Sequence, residues 1–190
     1  MTPLEAISCG IAGGVESISL VQMGIAVDGF FYAPLQARMP AVWWTMNETA
    51  DFVAKKYGIT REALDAYVVG SQQRVEAARK AGKFAEEITP FKAVMKAVDK
   101  ATGQSREQEV TLDHDEGPRA DTTLEGLAKL KPVFDGGTTT AGNASQLTDG
   151  AGAAVMMDAD LAAKRGLPIL GLFRGMQLAS VAPEEMSIAI

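Results

Sequence analysis

Cysteine and histidine are almost missing from this chain: one of each stands among 190 residues, Cys9 and His114. A single cysteine excludes an internal disulfide and a thiolate metal cluster, and its small apolar neighbours suit a reducing compartment. A single histidine cannot complete a usual zinc set. Basic residues are also in deficit, 18 Lys and Arg against 24 Asp and Glu, for a net charge of -6. That balance excludes a sequence-independent grip on nucleic acid or anionic lipid, which needs clustered cations. No apolar run reaches the ~18 residues of a membrane span, and "MTPLEAISCGIAGG" lacks the basic start and long apolar core of a signal peptide. The expected address is the cytoplasm.

What remains is the make-up of an ordinary globular protein, 47% hydrophobic and 22% charged, with length enough for one or two domains. Residues 4–22 read as a short helical start followed by strand and turn, with Gly13 and Gly14 marking a sharp turn or close packing. Residues 23–46 hold Phe30, Phe31, Tyr32, Trp43 and Trp44 with no period, which reads as a packed loop. Asn47 is the expected cap of a helix that buries Ala50, Val53, Ala54 and Tyr57 and stops at Gly58. Thr60 caps a longer one, with Leu64, Tyr67, Val68, Ser71, Val75 and Ala78 on one face and Gly82 after it, completing a helical hairpin.

Between 86 and 118, two β segments flank the polar "DKATGQSR". Thr122 and Glu125 form a capping-box pattern, so a short helix is expected to run toward Pro132. "GAAVMMDADLAAKRG" reads as a buried strand, an Asp158 cap and a helix, and "LPILGLFRGMQLASV" as a second apolar strand.

Three stretches invite a chemical reading. "GGTTTAGNASQLTDGAGAA", residues 136–154, has small residues that could cradle an anion or a pantetheine-like chain by exposing backbone N–H groups ahead of a helix. The plainer alternative is a strand-to-helix turn that needs glycine; the stretch is neither a P-loop nor a GxGxxG site. "LDHDEGPR" gathers Asp113, His114, Asp115 and Glu116, the pattern of a solvated turn rather than a metal site, while Arg119 beside it could hold phosphate or stack on a base. Cys9 has no base at a recognisable spacing and reads as a buried structural residue.

Five ordered stretches together resemble one family, the thiolases. They are "AGGVESIS" at 12–19, "TMNETADFVAKKYGITREALDAYVVGSQQRVEAARKAGKFAEEITP" at 45–90, "DEGPRADTTLEGLAKLKPVF", "TTTAGNASQLTDGAGAAVMM" and "GLFRGMQLASVAPEEM". The resemblance implies that a loop domain holds coenzyme A. It places Arg119 against the adenine end, and Val133 and Phe134 along the nucleotide and pantetheine path. It places Ala141, Ser145 and Leu147 on pantetheine, and Met46 at the acyl end of the tunnel. Thiolases transfer acyl groups through a cysteine thioester, with a histidine activating that cysteine and a second cysteine moving a proton. By the same resemblance the nucleophile belongs upstream of "AGGVESIS", and the histidine and second cysteine belong beyond residue 190. Cys9, four positions before Gly13, is not one of them.

The expected fold is therefore α/β, a partial thiolase fold in which an irregular α+β CoA-binding loop domain is flanked by pieces of the catalytic core. The expected divisions are 1–22 and 146–166 in the N-terminal half, 23–145 as the loop domain, and 167–190 as the first strand of the C-terminal half. The expected function is that of an acyltransferase fragment that binds the CoA moiety of acyl-CoA as substrate, with no covalently bound cofactor, and is inactive alone. Its partner would be a second copy or a complementary thiolase segment. The alternatives are a non-catalytic acyl-CoA-binding module and a protein-interaction module.

Overall fold

A computed structural model describes residues 8–21 and 29–189. The described residues divide into two compact units: Ala50–Ser145, and the flanking residues up to Thr49 together with those from Gln146 on. The helical start expected near residue 4 and the first part of the aromatic stretch, 23–28, lie outside the described residues.

In the flanking unit, β1 (Cys9–Glu16) pairs antiparallel with β4 (Gly150–Met157), Cys9 opposite Met157 and Glu16 opposite Gly150. Gly13 does not turn. A Cβ there would lie 2.9 Å from the Gly152 carbonyl oxygen, so its value is close approach, while Gly14 has open space around it. The ladder is closed at one end by Asp149. Its carboxylate accepts from the Ser17 hydroxyl at 3.2 Å and from the Ser19 backbone N–H at 3.0 Å, and also from the Ser19 hydroxyl. These bonds fasten the four-residue helix α1 (Ile18–Val21) to the start of β4.

The burial expected of β4 and of Cys9 is not observed, and β1 is equally bare. Ile11 and Val15 are each 80% exposed, Val155 is exposed, and Cys9 is exposed rather than packed inside. A strand is buried only when layers cover both its faces, and among the described residues β1 and β4 pair only with each other. The second apolar strand expected at 167–181 likewise does not form: the segment has no regular structure, and Leu170 is 97% exposed. An apolar run is an extended strand only where a neighbour offers backbone partners.

The aromatic stretch is more ordered than expected. It contains α2 (Ala33–Arg38), with Pro34 in its first turn, and a 3-10 turn at Pro40–Trp43. Phe30, Phe31 and Trp43 meet edge to face with ring centres 5.0–5.8 Å apart. That 3-10 turn packs against a second one at Pro183–Ile188, and the Ser187 hydroxyl donates to Thr49 Oγ1 at 3.0 Å.

The helix α3 (Met46–Tyr57) begins two residues earlier than the Asn47 cap predicts. Its cap is Thr45, whose backbone N–H donates to Glu48 Oε2 at 2.7 Å while the Glu48 N–H donates back to Thr45 Oγ1 at 3.3 Å. This reciprocal box satisfies two orphan donors and outcompetes a lone Asn. Gly58, at φ +66°, ends the helix as expected. Val53 and Ala54 are buried, but Tyr57 is exposed.

In the central unit, Thr60 caps α4 (Arg61–Lys80) by accepting from the Ala63 N–H at 3.2 Å, as the sequence predicts. Helical-hairpin packing does not follow: α4 makes its helix contact with α5 (Leu124–Ala128). Tyr67 is exposed, and the buried residue on α4 is Asp65. α5 is capped by Thr123 through the Gly126 N–H, one residue later than the expected Thr122. The two β segments form a hairpin, β2 (Phe91–Val98) with β3 (Ser105–Leu112), whose turn is held by Asp99 accepting from Ala101 and Thr102 N–H groups. The flanking unit's last helix, α6 (Ala159–Lys164), is capped by Asp158 as predicted. Among the described residues no helix is long and apolar enough to cross a membrane.

Candidate functional site

Residues 132–143 form a tight loop whose shape is set by side chains from α3 and α4. Pro132 bridges to Thr140, and the Val133 N–H donates to the Thr139 carbonyl at 2.8 Å, so the chain doubles back through Gly136 and Gly137. Asp51 of α3 reaches into the returning limb. Its Oδ1 accepts four bonds of 2.7–3.0 Å, from the backbone N–H and the hydroxyl of both Thr138 and Thr139. Its Oδ2 is buried without a hydrogen-bond partner, facing Gly137, where a Cβ would sit 2.2 Å from it. Burial raises the Asp51 pKa, but the bonds from Thr139 and Thr138 together outweigh that and hold it below its ordinary value.

A second anchor comes from α4. The Arg61 guanidinium donates to Asp65 at 2.7 Å and, through Nη2, to the carbonyls of Leu127 near the end of α5 and Leu130 just past it. The Leu127 carbonyl also accepts from the Leu130 N–H at 3.0 Å, so Arg61 adds a charged donor to the C-terminal end of α5 while neutralising Asp65, which is only 4% exposed. Asp65 passes the connection on: its Oδ1 accepts from Asn143 Nδ2, which also donates to the Thr138 carbonyl at 2.9 Å. Asn143 Oδ1 in turn accepts from the Thr140 N–H at 2.7 Å. Thr140, fully buried, accepts at Oγ1 from the Gly142 and Asn143 N–H groups.

This inventory changes the chemistry expected of the stretch. The N–H groups of residues 137–140 and 142–144 bond within the unit, and the next element is β4 rather than a helix. The basis for an anion cradle, free N–H groups at a helix start, is absent from that segment. What the loop presents is a surface of small side chains held in one shape.

The residues singled out from sequence are placed unevenly. Val133, Phe134 and Ala141 lie exposed on this single loop, and Ser145 is exposed just beyond it. Arg119 belongs to the same unit; its backbone N–H donates to Gln72 Oε1 of α4 at 2.8 Å and its Nη1 to the Glu116 carbonyl at 3.0 Å. Met46, the first residue of α3, and Leu147 are exposed residues of the flanking unit. His114 sits on an exposed loop with Nδ1 2.6 Å from Asp113 Oδ1. Sequence reasoning missed Asp51, Arg61, Asp65 and Asn143. The Arg61–Asp65 spacing of four on a helix was a readable signal; the pairing of Asp51 with threonines some 87 positions away was not.

The family model described as "Thiolase, N-terminal domain" matches residues 4–160. The chain belongs to the thiolase family. Among its relatives, 3-ketoacyl-CoA thiolase 1, peroxisomal, of Arabidopsis thaliana is 47% identical over 144 residues, covering 75% of this chain and 32% of that protein. The peroxisomal 3-ketoacyl-CoA thiolase 2 of the same plant is 41% identical over 182 residues, covering 94% of this chain and 38% of the relative. The 1.8 Å crystal structure of the dimeric peroxisomal thiolase of Saccharomyces cerevisiae superposes with a TM-score of 0.81 at 32% identity, over 97% of this chain and 45% of that one. The chain therefore spans less than half the length of these relatives, and its fold is the partial thiolase α/β fold that the five motifs imply.

The cytoplasmic address is corrected by the same comparison, because these thiolase relatives are named peroxisomal. A low cysteine count reports only on disulfides. Organelle import is read by receptors from short signals that composition does not carry.

Proposed function

We propose that this chain holds the CoA moiety of an acyl-CoA and forms the CoA-binding part of a thiolase-type acyltransferase. Arg119 lies against the adenine end, Val133 and Phe134 line the path of the nucleotide and pantetheine, Ala141, Ser145 and Leu147 contact pantetheine, and Met46 faces the acyl end. Residues 23–145 are the loop domain, flanked by 1–22 and 146–166 of the N-terminal half and by 167–190 at the start of the C-terminal half. The observation that carries this reading is the thiolase match over residues 4–160, the span that contains every residue of the proposed site.

These 190 residues alone do not transfer acyl groups. The family's relay uses two cysteines and a histidine, and one of each is present here, with Cys9 exposed on a strand and His114 paired to Asp113 on a loop. A second copy or a complementary thiolase segment completes the protein, covering the bare faces of β1 and β4. The peroxisome is the compartment that the relatives' names support.

Arg119→Ala tests the site. Stacking of an exposed guanidinium on a planar ring is worth a modest amount, so CoA affinity is expected to fall about two- to five-fold. The unfolding midpoint moves little, because the Gln72 bond is to the Arg119 backbone and the lost Nη1 bond to the Glu116 carbonyl is exposed. Titration calorimetry with CoA reads the change; unchanged affinity counts against the assignment.

A further inference from the structure

We infer that Asp51 is a positioning residue for the ligand: by gathering Thr138 and Thr139 onto one oxygen against Gly137, it presets the 137–145 segment in the shape that receives pantetheine. The inference rests on the proposed CoA site and adds to it a residue that does not touch the ligand.

Four donors converge on a single carboxylate oxygen, two of them backbone N–H groups of consecutive residues, so Asp51 fixes both the path of the main chain and the rotamers of two threonines. The other oxygen is packed against Gly137, where a side chain of any size collides with it. A buried carboxylate oxygen without a partner has a cost, and here the same carboxylate pins a surface loop. The second anchor, Asn143 held by Asp65, grips the same loop through the Thr138 carbonyl and the Thr140 N–H. Between the two anchors the chain rises to Ala141, which is exposed. The polar groups face inward and the small side chain faces out, as suits a surface that a flexible ligand chain lies along without reorganising it. A ligand that finds its surface already formed does not spend affinity on ordering it.

Asp51→Asn keeps the size of the side chain and one acceptor but removes the charge that gathers four donors. CoA and adenosine 3′,5′-bisphosphate, which lacks the pantetheine limb, are titrated into the full chain and the variant well below both unfolding midpoints. The expected result is about a five- to ten-fold loss of CoA affinity with the bisphosphate unchanged. A purely structural residue moves the midpoint and leaves both affinities of the folded protein as they were, and that outcome overturns the inference. Equal loss on both ligands also overturns it, since the effect is then not confined to the pantetheine limb. Wild-type chain that binds neither compound overturns the proposed site itself. If Asp51→Asn does not fold, Thr139→Val removes one of the four bonds with the shape kept, and the same ligand-selective loss, smaller, is required of it.

Discussion

Arg61→Met lowers the stability of the central unit by about 3–5 kcal/mol, the usual consequence of leaving a buried carboxylate without its cation. Asp65 is 4% exposed, and its partners are the Arg61 guanidinium and the Asn143 amide. Methionine fills the arginine stem but supplies no donor, so the charge of Asp65 loses its cation, and the carbonyls of Leu127 and Leu130 lose the guanidinium bond. The damage then spreads along the chain of bonds to Asn143 and the loop it holds. In the double variant Arg61→Met/Asp65→Leu no charge is stranded, and more than half of the loss is expected to return, because a buried pair replaced by apolar groups is often close to neutral. Urea unfolding of the three proteins measures both effects; a loss of under about 1 kcal/mol in the single variant means that solvent reaches Asp65 and the anchor is weak.

Gly137→Ala is the second large effect. The added Cβ falls 2.2 Å from Asp51 Oδ2 and 3.0 Å from the Phe134 carbonyl oxygen, a backbone atom. A carboxylate at the end of a free side chain would swing aside, but this one is tied by four hydrogen bonds. Either the methyl group is forced in, at about 1–3 kcal/mol for overpacking, or Asp51 turns away and leaves donors unpaired at a similar cost. Gly136→Ala is the control. Its Cβ meets nothing within 4 Å, and only the φ of +75° resists it, a strain of about 1–2 kcal/mol. The loss of CoA affinity should accompany Gly137→Ala and not Gly136→Ala, and equal behaviour of the two removes Asp51 from the account.

Local signals carried much of the fold. The Thr60 and Asp158 caps, the stop at Gly58 and the β2–β3 hairpin follow from residues within one or two turns of each other, where capping and turn chemistry act. The errors came where a nearby competitor won or where a distant partner decides. Thr45 displaced Asn47 because Glu48 completes a reciprocal box, and Asp65 replaced Tyr67 on the inside because Arg61 accompanies it. The run at 167–181 reads as an apolar strand because its composition is that of one, yet strand formation needs a neighbour, and among the described residues none pairs with it.

The site divided along the same line. The residues of its proposed surface, Val133, Phe134 and Ala141, came from the resemblance to thiolases, whose ordered motifs are visible in sequence. Its supports were hidden, because Asp51 and Arg61 act across the fold on Thr138, Thr139 and Leu127, and a carboxylate on a helix shows no sign of which loop it will hold.

Thermal unfolding of the chain with and without excess CoA tests the central claim most directly. At 100 times its dissociation constant a specific ligand adds about 2.7 kcal/mol to the folded state. The account predicts one cooperative transition whose midpoint rises with CoA concentration and does not rise with an equal concentration of inorganic phosphate. A cooperative transition that CoA leaves in place contradicts it.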